Sequence, residues 1–381
     1  SYLEKFYHHL FRSDKQAIAL VEELGLGDKL VWPKPVTSTL VGGEMHRLDS
    51  PRSVLEYTPL PMFARLRLAA ALAYLKIEPN YHRLEGTTAD AWLRRWMGKK
   101  VYETLWKPLL RSKFGNHYQD IVMSWFWARI HLRSSALGYI RGGFQQLYNA
   151  LVARVESLGG SILFGAEVRE IRPGEDGKLM VSIAGEETFQ FDQVVSTLPT
   201  RLTIKLTPEL QGEYSESFSN IESFGAHCLI LLLNRQLTDV YWLNVNDPGY
   251  PFLALVEHTN YMPSEDYGGN HVVYLGNYLP MDHPLFATEK DEIVAQYVPA
   301  IQRINPQFDA SWITGSYSFK APFAQPIVTK GYADRLPPHA TPVPGLYVAN
   351  MSQVYPQDRG QNYSIAMANA LVARLPGDSR R

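Results

Sequence analysis

The sequence predicts a mixed α/β (α+β) fold made of two interleaved domains. Three observations point to it. The chain has 381 residues, more than a single hydrophobic core usually organises. Its last stretch, Gly345 to Leu375, reads as a buried strand, a polar loop and a helix. Its middle, from Phe224 to Tyr278, reads as a series of apolar or alternating strands. No internal repeat or low-complexity linker separates these parts, so the domains are expected to cross over into one another.

Taken in order, Asp14 is a candidate cap for a helix with Ile18, Val21 and Leu24 inward, which Gly25 stops. Leu30 to Val54 reads as short strands with a hairpin at Gly42-Gly43. Pro59 to Ile77 is a helix apolar on most sides, expected to lie in a core. Thr87 to Asp90 resembles a capping box. It opens a helix with Trp92, Leu93 and Trp96 on one face, broken at Gly98 and resumed by Val101, Leu105 and Trp106 up to Pro108. After Gly142-Gly143 comes a helix with Phe144, Leu147, Leu151, Val155 and Leu158 inward, then strands at Ser161–Phe164 and Glu167–Ile171. Leu179–Ile183 and Thr188–Phe191 form a hairpin around Gly185, and Gln193 to Pro199 is a buried strand ending in proline. Strands follow at Phe224–Leu233, Phe252–Glu257 and His271–Tyr278. Next are a helix over Thr288–Ile304 that contains Pro299, a strand at Trp312–Phe319, and the terminal strand and helix. In that last helix Ile365, Ala368, Leu371, Val372 and Leu375 share one face.

Composition excludes several functions. Hydrophobic residues make up 45% and charged residues 20%, as in ordinary globular proteins. The 37 Lys and Arg against 38 Asp and Glu leave a net charge of -1, which gives no electrostatic footprint for nucleic acid. The single cysteine, Cys228, rules out an internal disulfide framework and a cysteine-based zinc site, and it suits a cytoplasmic location. The opening residues show no signal-peptide pattern. The most apolar run, Pro61 to Ile77, is interrupted by Arg65 and Arg67 and is too short to span a bilayer. No metal-spaced cluster, Gly-x-Ser-x-Gly elbow or Walker loop is present.

A buried strand feeding a helix through a glycine-bearing loop aims backbone N–H groups and a positive dipole end at whatever lies above it. Here the loop is Asn350-Met-Ser-Gln-Val-Tyr-Pro-Gln-Asp358-Arg359-Gly360-Gln-Asn362-Tyr363. It resembles the C-terminal flavin-binding segment of the FAD-dependent oxidoreductases related to amine oxidase, protoporphyrinogen oxidase and phytoene desaturase. Further segments resemble the same superfamily: Phe6-Tyr-His8-His9-Leu-Phe-Arg-Ser-Asp14, Gly98 to Gly115 and Gly138-Tyr-Ile-Arg-Gly142-Gly143. The first two are also similar to segments of UDP-galactopyranose mutase.

The resemblance implies a Rossmann-like FAD-binding domain from 1–30, 136–215 and 325–381, and a substrate domain from 31–135 and 216–324. It implies FAD contacts at Val168, Thr197, Pro199, Asp358, Arg359, Gly360, Asn362 and Tyr363. It also implies a pocket near His8, His9, Lys320 and Gln325, of which His8 and His9 equally suit the surface and Lys320 suits it better. The partner would be a small-molecule substrate, with peripheral membrane contact through the helix at Pro59–Ile77 as in some relatives. One departure stands out: the Gly-x-Gly-x-x-Gly fingerprint is absent. The chain therefore looks like a superfamily member without its first strand–loop–helix unit, roughly fifty residues including the loop, which leaves its own FAD affinity in question. The leading expectation is hydride transfer from an organic substrate to flavin. A non-redox flavoenzyme of the mutase type and a cofactor-free binding protein are the alternatives.

Overall fold

The computed structural model describes residues 2–185 and 187–376. The chain divides into two compact units. The first comprises Ser1–Asp14, Val21–Asn149 and Ser223–Lys330; the second comprises Lys15–Leu20, Ala150–Glu222 and Gly331–Arg381. Of the expected FAD-binding segments, residues 15–20, 150–215 and 331–376 fall in the second unit, and 2–14, 21–30, 136–149 and 325–330 in the first.

The first unit is organised on a seven-stranded sheet. Its order across is Ile313–Pro326, Ser223–Leu233, His271–Leu279, Ala254–Glu257, Trp242–Val245, Thr37–Val41 and Glu44–Arg47. Every pairing is antiparallel except that of Trp242–Val245 with Thr37–Val41. Ser223–Leu233 is paired on both sides and buried along nearly its whole length, hence its continuous apolar run. Leu229, Leu231 and Leu233 pack with Ile293, Tyr297, Ile301 and Ile304 of the helix Lys290–Ile304; each such side chain contributes about 1.5–3 kcal/mol by burial. Cys228 lies in this doubly paired strand, fully buried, opposite Gly276 on one side and Phe319 on the other. Burial pushes its thiol far above the usual cysteine range.

The hairpin at Gly42-Gly43 forms as expected, both glycines having positive φ (67° and 79°). Asp247 clamps it, accepting from Gly42 N at 2.8 Å and Gly43 N at 2.7 Å. Thr88 caps the helix Ala89–Met97 through Ala91 N at 3.2 Å, and Gly98 ends it with φ 90°. The continuation is a single helical path, Lys99–Phe114, with a π-helical turn at Tyr102–Trp106.

The helix Met62–Ile77 departs from expectation. It buries only Leu68, Ala71 and Leu75, while Phe63 is 78% and Ile77 76% exposed. With apolar residues on all sides, the sequence carried no periodic signal for which face turns inward.

The second unit holds an antiparallel sheet, Val168–Pro173 with Leu179–Ile183 and Thr188–Phe191, and a parallel pair, Val194–Ser196 with Leu346–Val348. Ile171, Leu179, Val181, Ile204, Leu210, Tyr214, Val343 and Leu346 form its core. Three apolar positions, Leu158, Phe164 and Val372, are exposed here. Leu158, at the end of the helix Gln145–Ser157, is 69% exposed. Residues 161–164 form no strand, and Phe164 is 81% exposed. The helix Gln361–Val372 buries Asn362 and Leu371 but leaves Val372 67% exposed. The shared cause is that apolar patterning marks a face for burial without supplying a neighbour, and among the described residues none covers these positions.

Candidate functional site: the carboxyl ends of the parallel strands

The parallel strands Val194–Ser196 and Leu346–Val348 run side by side and end together, the edge where open α/β sheets place ligands. Asn350 ties the two exits to each other, its Nδ2 donating to Leu198 O and Thr200 Oγ1, both at 3.0 Å. The same residue makes a capping box over Met351–Gln353, with Ser352 N donating to its Oδ1 at 3.0 Å and its own N donating to Gln353 Oε1 at 2.8 Å. Pro199 sits at the N-cap of the helix Thr200–Leu206, while Thr197 is exposed just before it. Val168 begins its strand opposite Ile183, half-buried against the core of the second unit.

The loop from Leu346–Val348 continues through Asp358 and Arg359, an ion pair at 3.7 Å, to Gly360. Gly360 is the N-cap of Gln361–Val372 and supplies no side-chain cap. Its carbonyl accepts from Tyr363 N and Ser364 N, both at 3.1 Å. Asn362 is committed elsewhere: its buried Oδ1 accepts from Gln16 N at 2.9 Å and Ala17 N at 3.2 Å. It thereby caps the helix Lys15–Glu23, the role expected of Asp14. The Asp14 carboxylate instead accepts from Phe11 N at 2.8 Å.

The pocket residues expected from sequence belong to the first unit. His8 is exposed and its Nδ1 donates to Phe6 O at 2.6 Å. His9 is half-buried with Nδ1 3.2 Å from the Tyr241 hydroxyl. Desolvation, with Arg133, His8 and Arg129 adding repulsion, lowers its pKa to about 3, so its imidazole is neutral at ordinary pH. Lys320 is exposed and donates to Thr288 O at 2.8 Å, whereas Gln325 is fully buried.

Sequence reasoning passed over Glu4, Tyr139, His258 and Tyr267. Glu4 accepts from Tyr139 Oη and Phe144 N, both at 2.7 Å, so the turn at Gly142-Gly143 is closed by the chain's own carboxylate. The available signal was 22 tyrosines, a count without positions. Among the described residues no group of His, Cys, Asp and Glu could hold a metal ion.

A sequence profile described as flavin containing amine oxidoreductase matches residues 1–357. The chain belongs to that family. As a flavin-containing amine oxidoreductase it is a flavin-dependent enzyme of oxidoreductase type, with FAD as the superfamily's cofactor. No curated protein matches it by sequence. Its fold is similar to that of a protein described as a protoporphyrinogen oxidase from Exiguobacterium sp. 255-15. The TM-score is 0.74 at 17% identity, over 96% of this chain and 86% of that one. Reduced UDP-galactopyranose mutase aligns at TM-score 0.71 and 12% identity, over 97% and 85% of the two chains. Putrescine oxidase bound to putrescine aligns at 0.67 and 13%, over 98% and 88%.

The residues present fit one end of such a cofactor. At Gly360 an added Cβ would meet nothing nearer than Tyr363 Cδ2 at 4.0 Å, so the start of a 12-residue helix is unobstructed. The diphosphate end finds no glycine fingerprint in the chain, and the glycine turn before Gln145–Ser157 is occupied by Glu4.

Proposed function

We propose that this chain oxidises a small organic substrate by hydride removal from a C–H bond, with the flavin ring received at the carboxyl ends of Val194–Ser196 and Leu346–Val348. The family match over residues 1–357 carries the reading. The bound flavin supplies the electron sink. The chain's own contribution is positional. The N-terminus of Gln361–Val372 offers a positive dipole end, which favours electron-rich groups. Asp358, Arg359, Gly360 and Tyr363 line the approach. Asn362 fixes the helix from behind, and Thr197, Pro199 and Val168 flank the same unit. His8, His9, Lys320 and Gln325 are the substrate-side candidates.

Titration with FAD tests this directly: the protein should retain a yellow chromophore through gel filtration, and dithionite should bleach it. Elution of all flavin as free small molecule overturns the ring site. Gly360→Val keeps an extended φ of -179° that suits a branched residue and should weaken FAD retention without lowering Tm. The similarity to the mutase favours a second reading, a non-redox flavoenzyme acting on a nucleotide sugar. Pyranose–furanose interconversion of UDP-galactose, measured beside amine-dependent flavin reduction, separates the two.

The reading includes peripheral contact with a lipid surface on the cytoplasmic side. No helix of the described residues is long and apolar enough to cross a membrane. Met62–Ile77 instead presents Met62, Phe63, Leu66, Tyr74 and Ile77 outward. Arg67 Nε donates to Trp96 O at 2.7 Å, which sets the exposed Trp96 beside that helix, and Arg95, Lys99 and Lys100 are exposed nearby in sequence. An apolar face with tryptophan and basic residues at its margin suits the headgroup region. Sedimentation with anionic vesicles should carry the protein down, and the double substitution Phe63→Ser, Ile77→Ser should leave it in the supernatant.

A further inference from the structure

Flavin chemistry leaves a dense group of tyrosines in the first unit without a role. Tyr7 meets Trp242 edge-on at 4.8 Å between ring centroids and Tyr274 at 6.1 Å. Around the buried His258 ring stand four tyrosines: Tyr139 at 5.0 Å, Tyr267 at 5.1 Å, Tyr261 at 6.0 Å and Tyr274 at 6.1 Å. Tyr241 joins them through Tyr261 at 4.6 Å. Tyr139, Tyr241, Tyr261 and Tyr274 are buried, while Trp242, Tyr7 and Tyr267 are half-exposed. The oxidisable rings thus run from Trp242 and Tyr7 to the tyrosines around His258, and Tyr267 joins them across that imidazole ring, so the group reaches solvent at two places.

The hydrogen bonds give this array an end point. A phenol that loses an electron becomes a strong acid, so a hole rests where a base can take the proton. Tyr267 Oη lies 2.6 Å from His258 Nε2. Burial holds that imidazole neutral, and its Nε2 can therefore accept. Tyr261, by contrast, has a buried hydroxyl without a hydrogen-bond partner, so a hole on it cannot be neutralised. Tyr274 donates to the weakly basic Glu4 carbonyl at 2.9 Å. Tyr139 donates to the Glu4 carboxylate at 2.7 Å and Tyr241 lies 3.2 Å from His9 Nδ1, but both phenols are fully buried, whereas Tyr267 has a base beside it and is half-exposed to a solvent reductant.

We propose that this array conducts oxidising equivalents from the Trp242–Tyr7 end to Tyr267, where His258 takes the phenolic proton. In balanced form, a hydroxyl-type radical takes an electron from the Trp242 indole and a proton from solvent, and becomes water. Electrons moving outward through Tyr274 and then Tyr7 refill Trp242, and Tyr267 supplies the last of them across the His258 ring. Tyr267 then stands as a neutral phenoxyl beside a protonated His258. A solvent thiol supplies one electron and releases its proton to solvent, and His258 returns the phenolic proton. The net change is conversion of the radical and a thiol into water and a thiyl radical. Nothing in it depends on the flavin reading.

The buried Cys228 leaves an engineered surface cysteine uniquely reactive. Lys5→Cys, at an exposed position two residues from Tyr7, can therefore carry a ruthenium photosensitiser on the full chain. Flash oxidation followed by freeze-quenched electron paramagnetic resonance should trap a tyrosyl radical that disappears in a Tyr267→Phe background. His258→Gln, which keeps an acceptor but not a base, should shorten its lifetime. A radical of unchanged yield and line shape after Tyr267→Phe overturns the proposal. That measurement decides even if His258→Gln does not fold, because Tyr267→Phe removes only a hydroxyl from a half-exposed ring.

Discussion

At position 362 a single amide oxygen satisfies two backbone N–H groups that the helix Lys15–Glu23 cannot satisfy internally. Asn362→Ala should cost about 1–2 kcal/mol in urea-induced unfolding, and Asn362→Asp, which keeps the acceptor, should recover most of it. Glu257 is a costlier case. It is fully buried and accepts from Leu237 N at 2.8 Å, Thr238 N at 2.6 Å and Thr238 Oγ1 at 2.8 Å. Burial outweighs these bonds and raises its pKa from 4.5 to about 6. The folded state therefore holds a proton that the unfolded state has already released. Stability from this group is full below about pH 4.5, declines as pH rises to about 6, and is lower by about 2 kcal/mol above that. Glu257→Ala should nevertheless destabilise the protein at pH 7 by about 3 kcal/mol or more, since it strands the buried Leu237 and Thr238 N–H groups, while the Thr238 hydroxyl keeps Val240 O as an acceptor. Thermal melts of both proteins across this window check the sign and the size.

Among elements, the strand His271–Leu279 is shaped by what crosses it. A Cβ at Gly276 would come within 2.7 Å of the Tyr7 ring, so that glycine seats the N-terminal segment on the sheet. Gly276→Ala should cost about 1–3 kcal/mol and raise proteolysis within residues 2–11, a cleavage pattern readable by mass spectrometry. What was legible in the sequence follows from the kind of signal each element carries. The hairpin at Gly42-Gly43 was legible because positive φ selects glycine. The strand Ser223–Leu233 was legible because burial on both faces demands an unbroken apolar run. The helices Met62–Ile77 and Gln361–Val372 were legible as helices, but their inward faces were not, because both are apolar nearly all round. The loop around Gly360 was legible as the link between the last strand and helix, yet the anchoring use of Asn362 was hidden, since its partners lie almost the whole chain away. The tyrosine array was invisible for the same reason: its members are gathered from positions 7, 139, 241, 261, 267 and 274.

For the whole molecule, pH response is a contest between buried groups. Desolvation, with Lys320 adding to it, lowers His227 to about 4, and desolvation lowers His258 to about 3. Both imidazoles are buried and stay neutral in the fold, while the unfolded chain protonates them below about pH 6.5. Their stability is present above that pH and is lost on acidification at up to about 2.7 kcal/mol per pH unit. His9, lowered to about 3, adds to the same loss; Glu257 works in the opposite direction, but with one proton against three. Acid destabilisation should therefore win, with Tm falling as pH is lowered from 6.5 to 4.5. Replacing His227 or His258 with phenylalanine should flatten that fall, as scanning calorimetry at several pH values would show.

The one sulfhydryl of the chain sits inside its largest sheet, on the strand next to the edge strand Ile313–Pro326, opposite Gly276 and Phe319 and away from solvent. A maleimide dye can reach it only when that sheet comes apart. The unmodified protein thus carries a built-in clock: the rate at which Cys228 takes up label, followed over hours, reports how often Ser223–Leu233 parts from its neighbours, without any mutation or optical probe.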